Sequence, residues 1–233
     1  MSIYYKIRKY IKFPIPIFFK KYFKKYYGKN KLDQQLEKYL DFHNGFFIEL
    51  GAYDGVTQSN TLFYERNKGW RGILIEPSKD IYKKCKKNRS IKNFIYNYAC
   101  VSFDYKEKYI ELQFSGLKTY SAKYLGKKKT KEYISQPELE WGKKSFLYKV
   151  KVRTLNSILD QSKAPNEIDF LSIDTEGAEF EVIAGINFEK YKFRYMLVET
   201  NDLSKLKKFL ASKYYKYVKK FNDNDYLFQL ASK

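Results

Sequence analysis

Acidic residues are scarce in this chain: 26 Asp and Glu face 46 Lys and Arg over 233 residues, a formal charge of +20. That surplus favours an anionic partner, either nucleic acid or an acidic membrane surface, and says nothing about the fold. Histidine occurs once, as His43. It lies ahead of the first strand, at the far end of the sheet from a ligand site, where a solvated or capping role suits it better than catalysis. Cysteine occurs twice, and Cys85 and Cys100 have neither CxxC nor zinc-type spacing. Two lone thiols suggest a reducing compartment, hence a cytoplasmic protein. Long apolar runs are missing too, because Lys or Arg interrupts each one well short of the roughly 18 residues a membrane span needs. Residues 13–19 are apolar but include Pro14 and Pro16 and lack a small-residue cleavage site, so no signal peptide is expected. No internal repeat is visible. With 44% hydrophobic residues, the chain has the material for one α/β domain with its own core.

The first 31 residues read as a separate basic, aromatic arm, and residues 32–233 as the domain. Ten Lys/Arg and ten aromatic residues precede Asp33, the first acid. Beyond the two prolines, Ile15, Phe18, Phe19, Tyr22, Phe23 and Tyr26 recur at helical spacing, with Lys20, Lys21, Lys24 and Lys25 opposite. This pattern predicts an amphipathic helix. Its stripe either packs on the domain or enters an anionic membrane interface with its lysines over the headgroups.

From Phe46 the sequence alternates strands and helices. Buried-strand runs are expected at Phe46–Leu50, Gly72–Glu76, Phe94–Val101, Ile168–Ile173 and Tyr195–Glu199. Helices are expected around Thr61–Arg66, Asp80–Lys87, from about Glu176, and over Leu203–Leu210. Two last strands, near Tyr217–Phe221 and Tyr226–Leu230, read as a hairpin. Such alternation implies a mostly parallel sheet of seven strands with helices on both faces. The pattern breaks between about 103 and 151, where Tyr109–Phe114 alternates like an exposed strand and a lysine-rich loop follows at 126–131. This stretch reads as an insertion near the site's mouth that could hold an acceptor.

Ligands of open α/β sheets bind beyond the carboxyl ends of the strands. Here those ends are acidic: Glu49 to Gly55, Glu76, Asp174 with Glu176, and Glu199. The local sign opposes the global one. The first turn, Glu49-Leu-Gly-Ala-Tyr-Asp-Gly55, spaces its glycines as GxxxG, not the GxGxxG that receives a pyrophosphate, and Asp54 would repel phosphate. A cofactor without phosphates, bearing a sulfonium and an amino group, fits better. Glu76 suits the task of accepting both ribose hydroxyls.

Several segments carry a resemblance. Phe47-Ile-Glu-Leu-Gly-Ala-Tyr-Asp-Gly55, Ser59-Asn-Thr-Leu62, Gly69-Trp-Arg-Gly-Ile-Leu-Ile-Glu-Pro77, Arg153-Thr-Leu155 and Ile168-Asp-Phe-Leu-Ser-Ile-Asp-Thr-Glu-Gly-Ala-Glu179 resemble the motifs of FkbM-type methyltransferases. The match runs from about Phe46 to Glu199. It implies a Rossmann-like class I methyltransferase fold, for which the closing hairpin is usual. It also implies S-adenosylmethionine bound by Glu49, Gly51, Asp54, Asn60 and Glu76, with Ser59 positioning the neighbouring turn, and oxygen methylation, commonly of sugars. Ser172 stands where many relatives have Lys, and Glu49 where Asp is common.

Removing a proton from a sugar hydroxyl calls for a base or a metal. Asp174 is the expected base or metal ligand, with Glu176 as a hydroxyl-binding partner. Asp174, Glu199 and Asn201 could together offer oxygen ligands to Mg²⁺ or Mn²⁺. A further reading makes Glu179 and Glu181 surface charges of the helix and lets Glu176 cap it. An RNA 2′-O-methyltransferase is the enzymatic rival, since aromatics and lysines hold single strands. A non-catalytic, membrane-associated S-adenosylmethionine-binding module is the third reading. The preferred acceptor is a glycan, with nucleic acid ranked behind it, and the arm suggests a peripheral position at a membrane. Co-sedimentation with anionic liposomes is expected for the full chain and lost on deletion of residues 1–30. Equal binding by the truncated chain would dispose of the membrane role.

Overall fold

Strands of β-branched and aromatic residues, apolar on both sides, can be stable only where helices cover both faces of their sheet. The computed structural model describes residues 26–115, 118–121 and 146–231, and its main sheet meets that requirement. The strands are β1 (Phe46–Leu50), β2 (Arg71–Ile75), β3 (Phe94–Tyr96), β8 (Glu167–Ile173), β9 (Lys192–Glu199), β10 (Tyr215–Lys220) and β11 (Asp225–Leu230). They lie in the order β10-β11-β9-β8-β1-β2-β3. All neighbours are parallel except β11, which runs antiparallel to both β9 and β10. The expected seven-stranded sheet with its terminal hairpin is therefore present.

Successive side chains of each strand go to opposite cores. Ile48, Leu50, Ile73, Ile75, Leu171 and Ile173 pack against α4 (Leu155–Gln161), α5 (Glu179–Ile183) and α6 (Leu203–Ala211). Phe47, Leu74, Phe170 and Leu197 pack against α1 (Leu32–Leu40), α2 (Leu62–Lys68) and α3 (Lys79–Asn88). The sequence reading had neither α1 nor α4. Leu32, Leu36 and Leu40 form the buried stripe of α1, and the Thr154 hydroxyl caps α4 by accepting from the Ser157 N–H.

The expected third strand, Phe94–Val101, is two strands in different sheets. Asn97 ends β3 by donating its side-chain amide to the carbonyls of Glu76 and Pro77, at 2.9 and 2.7 Å. Ala99–Cys100 (β4) then joins a second sheet, ordered β4-β7-β5-β6, with β5 (Tyr109–Ser115), β6 (Lys118–Tyr120) and β7 (Phe146–Arg153). This sheet takes in described residues of the stretch read as an insertion, and Ile110, Leu112 and Val150 form its small core. The lysine-rich loop at 126–131 lies outside the described residues. So does the helix read over the arm, apart from Tyr26. From Tyr26 onward the arm is joined to the domain: Tyr26 and Tyr27 pack on the α1–α3 side of the core, and a tight turn, Lys29–Lys31, leads into α1. Among the described residues no helix is long and apolar enough to cross a membrane.

Strand order reverses between β1 and β8. That switch point opens a crevice beyond the strands' carboxyl ends, lined among others by Gly51, Asn60, Glu76, Asp174, Glu176 and Glu199.

Candidate active site

The turn after β1 is built on close backbone approach. Gly51 has φ +75°, and a Cβ there would sit 1.9 Å from the Asp174 carbonyl oxygen at the end of β8. Only glycine lets the exits of β1 and β8 come so near. The amides of Gly51 and Ala52 both donate to the Ile75 carbonyl, which ties the turn to β2. Tyr53 follows in the left-handed region and donates its N–H to Glu76 Oε2 at 3.0 Å, while Ser78 N–H donates to Oε1 at 2.7 Å. Each Glu76 oxygen thus keeps lone pairs for a ligand. Burial pushes the Glu76 carboxyl up to about 7, against the pull of these two amides.

Glu49 has a different task from the one expected. Its carboxylate accepts from the Ser59 and Thr61 hydroxyls, at 3.0 and 2.6 Å, from Asn60 N–H at 2.8 Å and from Arg89 Nη1 at 3.1 Å. The side chain is buried and committed to the protein, so it braces the loop that bears Asn60. The Ser59 hydroxyl accepts from the Leu62 amide at 3.1 Å, at the start of α2. Asp54 shapes its own turn: its carboxylate accepts from the amides of Val56 and Thr57 and from the Thr57 hydroxyl. Asn60 donates to Ser172 Oγ at 3.2 Å and lines the cleft itself.

Arg89 is the functional residue the sequence reading missed. Its guanidinium, fully buried, donates to Glu65 at 2.7 Å, Glu49 at 3.1 Å and Thr61 Oγ1 at 2.8 Å, and it reaches the Gly55 carbonyl and Ser59 Oγ. One cation therefore holds two buried carboxylates and three points of the 55–61 loop. In sequence it is an arginine closing a lysine-rich helix, which offers no signal of burial.

The cleft so formed has a volume of about 240 Å³ and is lined by Glu76, Asp174, Glu176, Glu199 and Asp225, together with Gly51, Tyr53, Gln58, Asn60, Leu32 and Lys29. Asp174 stands beside Glu199 with part of its surface open to the cleft. Desolvation, the neighbouring Glu199 charge and the hydrogen bond between the two carboxyls hold Asp174 well above the usual carboxylate range. Burial also raises Asp225. Glu176 enters the cleft from a left-handed backbone conformation, as do Tyr53 and Gln58. Non-glycine residues in that region are strained, and strain of this kind gathers at functional sites.

Glu179 is no surface charge. It is buried and accepts from Gly177 N–H at 2.8 Å and from the amide and hydroxyl of Thr175. These bonds keep residues 175–178 in a turn and delay α5 until Glu179. Glu181 accepts from the Ser102 hydroxyl at 2.8 Å. Of the three residues read as metal ligands, Asp174 and Glu199 meet, but Asn201 spends its side-chain oxygen on Asn224 and does not line the cleft. Among the described residues no group of three His, Cys, Asp or Glu side chains could hold a metal ion. The donor set does not fit one. A second, smaller cavity shares Gly51 and Asp174 with the cleft and is walled by Pro77, Tyr98, Leu112, Tyr120 and Ser121. Leu112 of β5 and Tyr120 of β6 thus bring the second sheet to this cavity.

A seven-stranded sheet in this order, with an acidic glycine turn at its switch point, defines a Rossmann-like methyltransferase. The chain belongs to the FkbM methyltransferase family: the family model described as "Methyltransferase FkbM domain" matches residues 49–228. No curated protein matches the sequence. Similar solved structures include a methyltransferase FkbM from Methylobacillus flagellatus KT, at 13% identity and TM-score 0.49, covering 80% of this chain and 43% of that one. This chain therefore spans less than half the length of that protein. A precorrin-6y C5,15-methyltransferase from Geobacter metallireducens GS-15 aligns at 12% identity and TM-score 0.41, covering 88% and 89% of the two chains. A human methyltransferase 10 domain containing protein aligns at 12% identity and TM-score 0.44, covering 87% and 80%.

Two predictions follow from the network and from Glu76. Arg89→Ala leaves Glu49 and Glu65 buried without a cation and should cost about 3–5 kcal/mol in urea unfolding, and Arg89→Lys should recover only part because one ammonium cannot reach all five acceptors. Folded Glu76 keeps its proton between its ordinary 4.5 and about 7, where the unfolded chain has released it. The folded state therefore binds more protons across that window, and stability falls as pH rises through it. Melting temperature, measured without ligand, should drop across this window more steeply in the wild type than in Glu76→Gln. Parallel curves would refute the assignment.

Proposed function

We propose that the protein is an S-adenosylmethionine-dependent O-methyltransferase that methylates a sugar hydroxyl of a glycan, in the cytoplasm and peripherally at a membrane face. The observation that carries this reading is the sign of the cleft: five carboxyls converge at the strand ends of a chain with formal charge +20. Such a ring favours a cationic ligand in a partly desolvated space. S-adenosylmethionine supplies, when bound, a methyl group activated on a positively charged sulfur. The residues fit it: Glu76 offers acceptors to a ribose diol, Gly51 gives backbone access, and Asn60 lines the same wall.

The chain's own chemistry then concerns the acceptor proton. Asp174, held above the usual carboxylate range, is when ionised a stronger base than an isolated aspartate and accepts the hydroxyl proton at its carboxylate. Glu199, hydrogen-bonded to it, shares that proton. Glu176 orients the hydroxyl. The protein's remaining contribution is alignment, which by itself supplies much of the acceleration of a displacement. Tyr98, Tyr120 and Ser121 beside Asp174 offer ring faces and a hydroxyl, groups suited to a sugar. A polynucleotide would have to bring its phosphates past the acids.

Incubation with a labelled methyl donor and a panel of glycan and RNA acceptors tests the reading. Label should enter glycan and not RNA, and label in RNA alone would reverse the choice of acceptor. Asp174→Asn should lower kcat by about 10²–10⁴ with donor affinity within a few-fold of wild type, and Glu76→Ala should weaken donor binding in isothermal titration. Donor binding without transfer to any acceptor would favour a binding module.

A further inference from the structure

We propose that Lys29 is a specificity-determining residue of the cleft, pairing with the carboxylate at the amino-acid end of the donor; this rests on the S-adenosylmethionine reading above. The argument begins with the mismatch between that ligand and the lining. The donor carries two positive centres, the sulfonium and the ammonium, and one negative carboxylate. The acidic lining as a whole attracts the positive centres and repels the carboxylate. Among the described residues lining the cleft Lys29 is the one cation. Charges farther off are largely screened beyond about 8 Å. Among the described residues, a carboxylate in this cleft therefore has Lys29 for its counter-charge.

The surroundings of Lys29 fix where it stands. It sits in the short segment that ties the arm to the domain, and that segment is clasped from three sides. Asp33 accepts from Tyr27 N–H at 2.7 Å. Gly28 bridges to Gln58 on the loop after β1, and a Cβ on Gly28 would come within 2.9 Å of Asp33 N and 3.1 Å of Asn60 Oδ1. Asn30 donates to Asn222 Oδ1, at 3.3 Å, in the turn before β11. Asn30 and Lys31 are left-handed, with φ of 52° and 56°, so the chain doubles back and leaves Lys29 at the bend. Two walls of the cleft, the Gln58–Asn60 loop and the Asn222–Asp225 turn, are thus held against the segment bearing this ammonium. Asp225 lies in the field of Lys29, which draws its carboxyl down against the effect of burial. Lys29, though exposed, and Asp225 line the same cleft, so the ammonium stands on its acidic side.

Isothermal titration of the full chain with S-adenosylmethionine and with its decarboxylated analogue tests the pairing, since the analogue keeps the sulfonium, amine and adenosine. The wild type should bind the carboxylated donor at least tenfold more tightly. Lys29→Gln should bind both compounds alike, with its affinity for the analogue within twofold of wild type, and Lys29→Arg should keep the preference. A wild type that does not discriminate, a Lys29→Gln variant that still does, or one that loses affinity for both compounds equally would each overturn the proposal, the last by showing that Lys29 only supports the fold. A wild type that binds neither compound would instead bring down the reading of the cleft, and this inference with it.

Discussion

The guanidinium of Arg89, shut away between Glu49 and Glu65, is the contact on which the site depends. A buried ion pair adds little net stability, because desolvation takes back most of the Coulombic gain. What it supplies is position. The loop from Gly55 to Thr61 has no secondary structure of its own to fix it, yet it must bring Asn60 to the cleft while Glu49 stays with β1. Arg89 meets that need from the end of α3, reaching β1, the loop and α2 at once. Removing it empties the space of a large buried side chain and leaves two carboxylates facing each other in a low dielectric.

A second constraint is electrostatic. The surface of the chain is overwhelmingly basic, while the strand ends that meet at the switch point are acidic. Keeping several carboxyls close together costs free energy, and the molecule meets that cost in two ways. Asp174 and Glu199 share a hydrogen bond, and Glu76 receives two backbone amides. The proton shared by the first pair removes one charge, and the remaining acids of the cleft stay receptive to a cation.

Much of this was legible in the sequence because its causes are local. Buried strands read as apolar runs, the Gly51 turn as a glycine after a strand, and Glu76, Asp174 and Glu199 as acids at strand ends. The failures are equally physical. Glu179 occupies a position that on an ordinary helix would face water, but Thr175 and Gly177 turn the chain so that its carboxylate points inward. Phe94–Val101 is apolar enough for one strand, and only Asn97, bonded to carbonyls twenty residues back, divides it. The partners of Glu49 are set by Arg89, forty residues away in sequence. Long-range polar bonds decide these features, and no local pattern records them.

Tyr53, Gln58 and Glu176 adopt backbone angles that glycine would accept without strain. Replacing them with glycine would relieve that strain locally, and each lies on the cleft wall. An effort to make this protein sturdier by consensus or directed evolution would therefore be drawn to positions on the wall of the cleft. Robustness and competence compete here residue by residue, and any hardened descendant should be checked first at these three.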